Sequence, residues 1–112
     1  MVFSIEDSLT KLPLEATPKW PEGVWDFEAF KHGTMSLILY APHGKDYQTT
    51  HEQDELYIVV RGTSELVIEG VVHACKPGDV MFVPARKEHR FEKFSNDFTT
   101  WAVFWGPAGG EK

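Results

Sequence analysis

The sequence predicts an all-β protein, a closed antiparallel jelly-roll or β-barrel built from short strands. From Phe27 onward, runs of Val, Ile, Leu, Phe, Tyr and Trp recur at close intervals, and Gly or Pro residues punctuate those intervals. One run also alternates strictly, with the charges of Glu65-Leu66-Val67-Ile68-Glu69 on one side and Leu66 and Ile68 on the other.

The elements follow in order. Pro13, Pro18 and Pro21 break any long helix near the start. A helical turn fits Ser4 to Leu9, and the rest of residues 1–26 reads as an extended arm to a barrel over 27–105. Met35 to Ala41 is the first strand. Leu56 to Val60 is apolar at every position, the pattern of a strand covered on both faces in the middle of a sandwich. Glu65 to Glu69 is half-buried, and Val80 to Val83, His89 to Phe94 and Thr99 to Trp105 complete the set. Gly62, Gly70 and Gly78 each offer positive φ at a turn, so the connections are local and antiparallel. Residues 106–112, rich in glycine, read as a flexible tail.

With 112 residues, the chain is expected to be one domain. Its 11 Lys+Arg against 17 Asp+Glu give a net charge of −6, and there is no basic run, which argues against nucleic acid and against an anionic membrane surface. No apolar stretch is long enough to span a bilayer as a helix, and the N-terminus lacks a basic segment followed by an apolar run. A cytoplasmic location is expected. The single Cys75 reads as a small buried hydrophobe; it can form neither an internal disulfide nor a thiolate metal site. Any chemistry therefore falls to histidine and carboxylate.

Two histidines stand out by position. His51-Glu52-Gln53-Asp54-Glu55 leads into the apolar strand, and His89 follows the turn Pro84-Ala85-Arg86-Lys87-Glu88. Thr49, His51, Glu55 and Gly62, with six residues between Glu55 and Gly62, form one motif. Gly78-Asp79-Val80-Met81-Phe82-Val83-Pro84 followed by His89 forms a second, 15 residues further on. This pair of motifs resembles that of the cupin superfamily, in its small single-domain conserved-barrel form, and the resemblance covers roughly Met35 to Trp105. It implies a double-stranded β-helix and a divalent metal held by His51, Glu55 and His89.

Thr49 stands where the family pattern has its first histidine, with Gln53 and His43 as the nearest substitutes. Arg86 and Lys93 stand where the pattern has glycine and asparagine. Two imidazoles and a carboxylate suit a borderline divalent ion (Fe, Mn, Ni or Zn) and leave positions open for substrate, as in non-haem Fe(II) oxygenases. The expected function is that of a metal-dependent dioxygenase acting on a small organic molecule in the barrel. The alternatives are a metal-dependent isomerase and a non-catalytic small-ligand-binding protein.

If Glu55 and His89 point inward, period-two alternation brings Tyr57 and Phe91 inward beside them. Tyr57 is the candidate catalytic group, because its hydroxyl can reach a substrate or a metal-bound water. Thr49, Gln53, Phe91 and Trp101 complete the expected pocket, with Trp101, Val103 and Trp105 on one face that lines either the cavity or a dimer interface. Surplus aromatics, including Trp20 and Trp25 in the arm, favour a homodimer.

Overall fold

A computed structural model describes residues 1–112. One short helix, α1 (Ile5–Leu9), precedes eight strands: β1 (Asp26–His32), β2 (Met35–Tyr40), β3 (Asp54–Arg61), β4 (Ser64–Ile68), β5 (Val71–Cys75), β6 (Val80–Val83), β7 (His89–Glu92) and β8 (Thr99–Trp105). All pairings are antiparallel, in a five-stranded sheet of order β1-β2-β8-β3-β6 and a three-stranded sheet of order β5-β4-β7. This is the jelly roll expected from the strand spacing.

The helix forms where the prolines allow it. Ser4 caps it by accepting the Asp7 N–H at 3.0 Å, with Glu6 and Asp7 in the first turn, where acidic residues suit the helix dipole. The arm then runs to β1 with a single bridge between Leu14 and Val24, and Trp20 packs against the barrel core. Two strands lie outside the sequence expectation. β1 carries a bulge between Glu28 and Phe30 that breaks its alternation, and β5 is an edge strand whose first four residues are exposed.

Tyr57, Val59, Leu66, Val83, Phe91, Phe98 and Ala102 pack between the sheets. The expectation for Leu56 to Val60 needs correction. Tyr57 and Val59 are buried, whereas Leu56, Ile58 and Val60 are half-buried on the outer face. A two-layer sandwich has no third layer to cover that side. Residues 106–112 carry hydrogen bonds to the body: Gly109 N–H to the Glu52 carbonyl at 2.7 Å and Glu111 N–H to Asp54 Oδ2 at 2.9 Å.

Gly62 ends the first motif with φ of 72°, and a Cβ there would lie 2.8 Å from Phe98 Cα, so both conformation and space call for glycine. Arg86 and Lys93 also lie at positive φ, 66° and 50°. That geometry explains why the related motif carries glycine and asparagine at these two places.

Candidate metal centre

β3 delivers Glu55 and β7 delivers His89, while His51 lies in the loop just ahead of β3. Arg86 N–H donates to the His51 carbonyl at 2.7 Å, which ties that loop to the turn before β7. The two histidines and the glutamate converge. His51 Nε2 lies 2.9 Å and His89 Nε2 3.1 Å from Glu55 Oε1, and the two Nε2 atoms are 3.2 Å apart.

Each ring is oriented from behind. His51 Nδ1 is 2.7 Å from the Gln53 carbonyl, and His89 Nδ1 is 2.9 Å from the Lys87 carbonyl. A carbonyl only accepts, so Nδ1 carries a proton on both rings and each Nε2 faces the carboxylate, a donor to it when the ring is protonated and a lone pair for a metal ion when it is neutral. Three such atoms this close need positive charge among them, a proton or a metal ion, and two imidazoles with one carboxylate suit a divalent ion. The residues present therefore fit a metal.

A proton shared within the cluster meets the same need for positive charge. Burial pushes the Glu55 carboxyl up, but hydrogen bonds and charge from His51 and His89 outweigh it and hold Glu55 below its usual value. Burial pushes His89 down, and its bonds to Glu55 and the Lys87 carbonyl reverse that, leaving it raised.

Beside the triad lies a cavity of about 70 Å³ whose walls include Glu55, Tyr57, Tyr40, Gln48, Asp26 and Trp20. Tyr57 is thus in the cavity wall. Its hydroxyl donates to Gln48 Oε1 at 3.1 Å, and burial pushes its phenol well above the ordinary value, so it stays neutral. Gln48 is in turn positioned by Asp46, a buried carboxylate that also accepts from the Tyr40 hydroxyl at 2.7 Å and from Phe91 N–H at 2.8 Å.

The other expected pocket residues lie elsewhere. Thr49 is exposed, and its hydroxyl accepts from Lys19 Nζ at 3.1 Å. Gln53 donates to the Thr34 and Gly106 carbonyls. Phe91 is core, packed against Tyr57 and Phe98. Trp101 faces away, because its neighbour Ala102 and then Phe104 line the cavity and alternation sends Trp101 to the outer face. His43 stacks on Trp25 with its Nδ1 2.9 Å from the Ala41 carbonyl. None of Thr49, Gln53 and His43 joins the triad.

Asp26, Tyr40, Gln48 and Trp20 were not among the residues expected in the pocket. Trp20 and Asp26 are distant from both motifs along the chain, and Gln48 sits one place before the motif begins, so no spacing singles them out.

A family model for the cupin domain matches residues 36–104. The chain belongs to the cupin family. Among similar cupins and neighbours, an uncharacterised protein of Streptomyces coelicolor, SCO3923, is 32% identical over 96 residues, covering 84% of this chain and 90% of its own. KdgF from Halomonas sp. superposes with a TM-score of 0.64 at 19% identity, over 73% of this chain and 79% of its own. A putative mannose-6-phosphate isomerase from Ralstonia eutropha superposes with a TM-score of 0.57 at 26% identity, over 73% and 85%. The solved neighbours share the small barrel, and the site rather than the fold must carry the functional assignment.

Proposed function

We propose that this cupin is a metal-dependent dioxygenase acting on a small organic molecule in the barrel cavity. The single observation that carries the reading is the convergence of His51, Glu55 and His89 with no fourth protein ligand beside them. Two histidines and one carboxylate leave coordination positions vacant, the arrangement that suits binding both substrate and O₂. When bound, the metal supplies Lewis-acid character and, if it is redox-active, activation of O₂.

The chain's own residues supply the rest. The two backbone carbonyls fix the imidazoles, Glu55 contributes the charge, and the neutral Tyr57 hydroxyl holds a polar group of the substrate beside the ion. Trp20, Tyr40 and Phe104 give the cavity apolar walls that exclude water from it.

The likeness to a putative isomerase supports a second reading, in which the ion polarises a carbonyl and a nearby group moves a proton. A non-catalytic ligand-binding role is the third. The first two require the metal.

Elemental analysis of protein purified without added metal is expected to give about one divalent ion per chain, lost in both His51→Ala and His89→Ala. Absence of stoichiometric metal, or its retention in both variants, overturns the centre. Oxygen uptake on a panel of thiols, diketones and catechols then separates the readings. Consumption of O₂ with product formation is expected. Turnover of a sugar phosphate without O₂ would mean the isomerase, and binding without turnover the ligand-binding role.

A further inference from the structure

The cavity beside the metal centre has an unusual hydrogen-bond inventory. The hydroxyl protons of Tyr40 and Tyr57 are committed to Asp46 and Gln48, and the Gln48 carboxamide donates to Asp46. Alongside these stand two carboxylates in the wall, Glu55, which His51 and His89 already partner, and Asp26, and no Lys or Arg.

Asp26 opens β1 opposite Tyr40 and takes part in no hydrogen bond or ion pair among the cavity residues. The nearest cation, Lys19, donates to Thr49 and lies 5.8 Å from the centre of the Trp20 ring, and its charge offsets the burial of Asp26 only in part. Trp20 and Tyr40 stand over the same space with their ring planes at 82° and centroids 6.3 Å apart, so two aromatic walls meet at a corner. An unpaired carboxylate next to a right-angled aromatic pair is the chemistry that receives an organic cation, through ion pairing and the negative faces of the rings.

We propose that the cavity binds the cationic end of a small organic molecule, an ammonium or similar onium group, with Asp26 as its counter-ion and Trp20 and Tyr40 as its walls. This inference deepens the metal-enzyme reading by naming the charge class of the substrate, and it rests on that reading only for the statement that the occupant is turned over. The size fits. A cavity of about 70 Å³ holds roughly five times the space of one water on the same measure, enough for a head group of about five heavy atoms. An anionic group seated at the Asp26 end of the cavity meets that carboxylate with no Lys or Arg in the wall to offset it.

Calorimetric titration of the purified full chain with tetramethylammonium, tert-butanol and acetate tests this, since the three probes have similar size and differ in charge. Tetramethylammonium is expected to bind at one equivalent, about tenfold tighter than tert-butanol, with acetate weakest. Asp26→Asn is expected to erase the preference for the cation while leaving metal content unchanged. Trp20→Leu, which removes a wall and keeps the carboxylate, is expected to weaken the cation by a similar factor and provides the answer should Asp26→Asn fail to fold. Equal binding of the three probes, tighter binding of acetate, no binding of any probe, or an unchanged preference in both variants overturns the proposal. Failure of the metal centre registers separately, as loss of metal from the parent protein with the cation preference intact.

Discussion

Asp26 and Glu55 are two carboxylates on one cavity with opposite fates. Glu55 is held ionised by two imidazoles, whereas burial pushes the Asp26 carboxyl up, only partly offset by the charge of Lys19. The charge that acts on Asp26 is that of Lys19; of the other titratable groups in the same cavity wall, Tyr40 and Tyr57 are neutral and Glu55 is partnered by the histidines. Because its value is higher folded than unfolded, the folded chain binds more protons in the window between the two. Stability therefore falls as pH rises through that window, and the cost is present in full at neutral pH. Asp26→Asn is expected to melt higher than the parent at pH 7, with the gain shrinking as the pH is lowered through the carboxylate range. A lower melting temperature at pH 7 would show that Asp26 has a stabilising role. A carboxylate kept at a cost to stability is a mark of function.

At the scale of the element, the turn between β6 and β7 decides how His51 and His89 meet. Arg86 occupies left-handed backbone there, and its N–H holds the His51 carbonyl. Its guanidinium forms a fork with Glu52, at 2.9 Å for the closest pair, on the exposed surface. An exposed pair contributes about 0–1 kcal/mol, whereas left-handed φ costs a side-chain-bearing residue roughly 1–2 kcal/mol relative to glycine. Arg86→Gly keeps the backbone bond to His51 and relieves the strain, while Arg86→Ala keeps the strain and loses the fork. The glycine variant is expected to be the more stable of the two by about 1 kcal/mol, a few degrees in melting temperature, with metal content unchanged in both. Equal melting of the two variants, or the reverse order, would place the strain elsewhere.

For the whole molecule, the two sheets bury one side of the five-stranded layer and leave the other open. Val80 and Phe82 are 57% and 50% exposed, and Leu56, Ile58, Trp101 and Val103 are half-buried on the same outer face. The aromatics of the arm do not add to this surface, since Trp20 packs on Tyr40 and Tyr47 and Trp25 stacks on His43. Of the two places the sequence offered for a homodimer, the arm aromatics and the Trp101, Val103 and Trp105 face, we propose the second, where a second copy covers the apolar sheet. Light scattering coupled to size exclusion is expected to give twice the chain mass of 12.8 kDa at micromolar concentration, and Phe82→Lys is expected to shift it toward monomer. A monomeric parent overturns the dimer.

How much was legible follows from where each signal lives. Strand alternation and glycine at forced turns act on neighbouring residues, so the antiparallel sandwich could be read from the chain. β1 and β5 escaped because a bulge interrupts one and exposure masks the apolar pattern of the other. The His51, Glu55 and His89 cluster was legible through the family resemblance, because the three sit at set intervals in two motifs, one leading into β3 and the other opening β7.

The cavity was not. Trp20 comes from the arm, Asp26 from an edge strand, Tyr40 from β2 and Gln48 from a loop, and only sheet pairing and the fold-back of the arm bring them together. Nor could alternation alone say which face of β8 looks inward, because both faces are apolar; Ala102 and Phe104 took the interior, and Trp101 the exterior, once the strand paired with β2 and β3. By itself the sequence determined the class of fold, and through its motifs it singled out the three residues of the His-Glu-His cluster, because both depend on local spacing. The tertiary structure alone decided the walls and charge of the space beside them, because those depend on contacts between residues far apart in the chain.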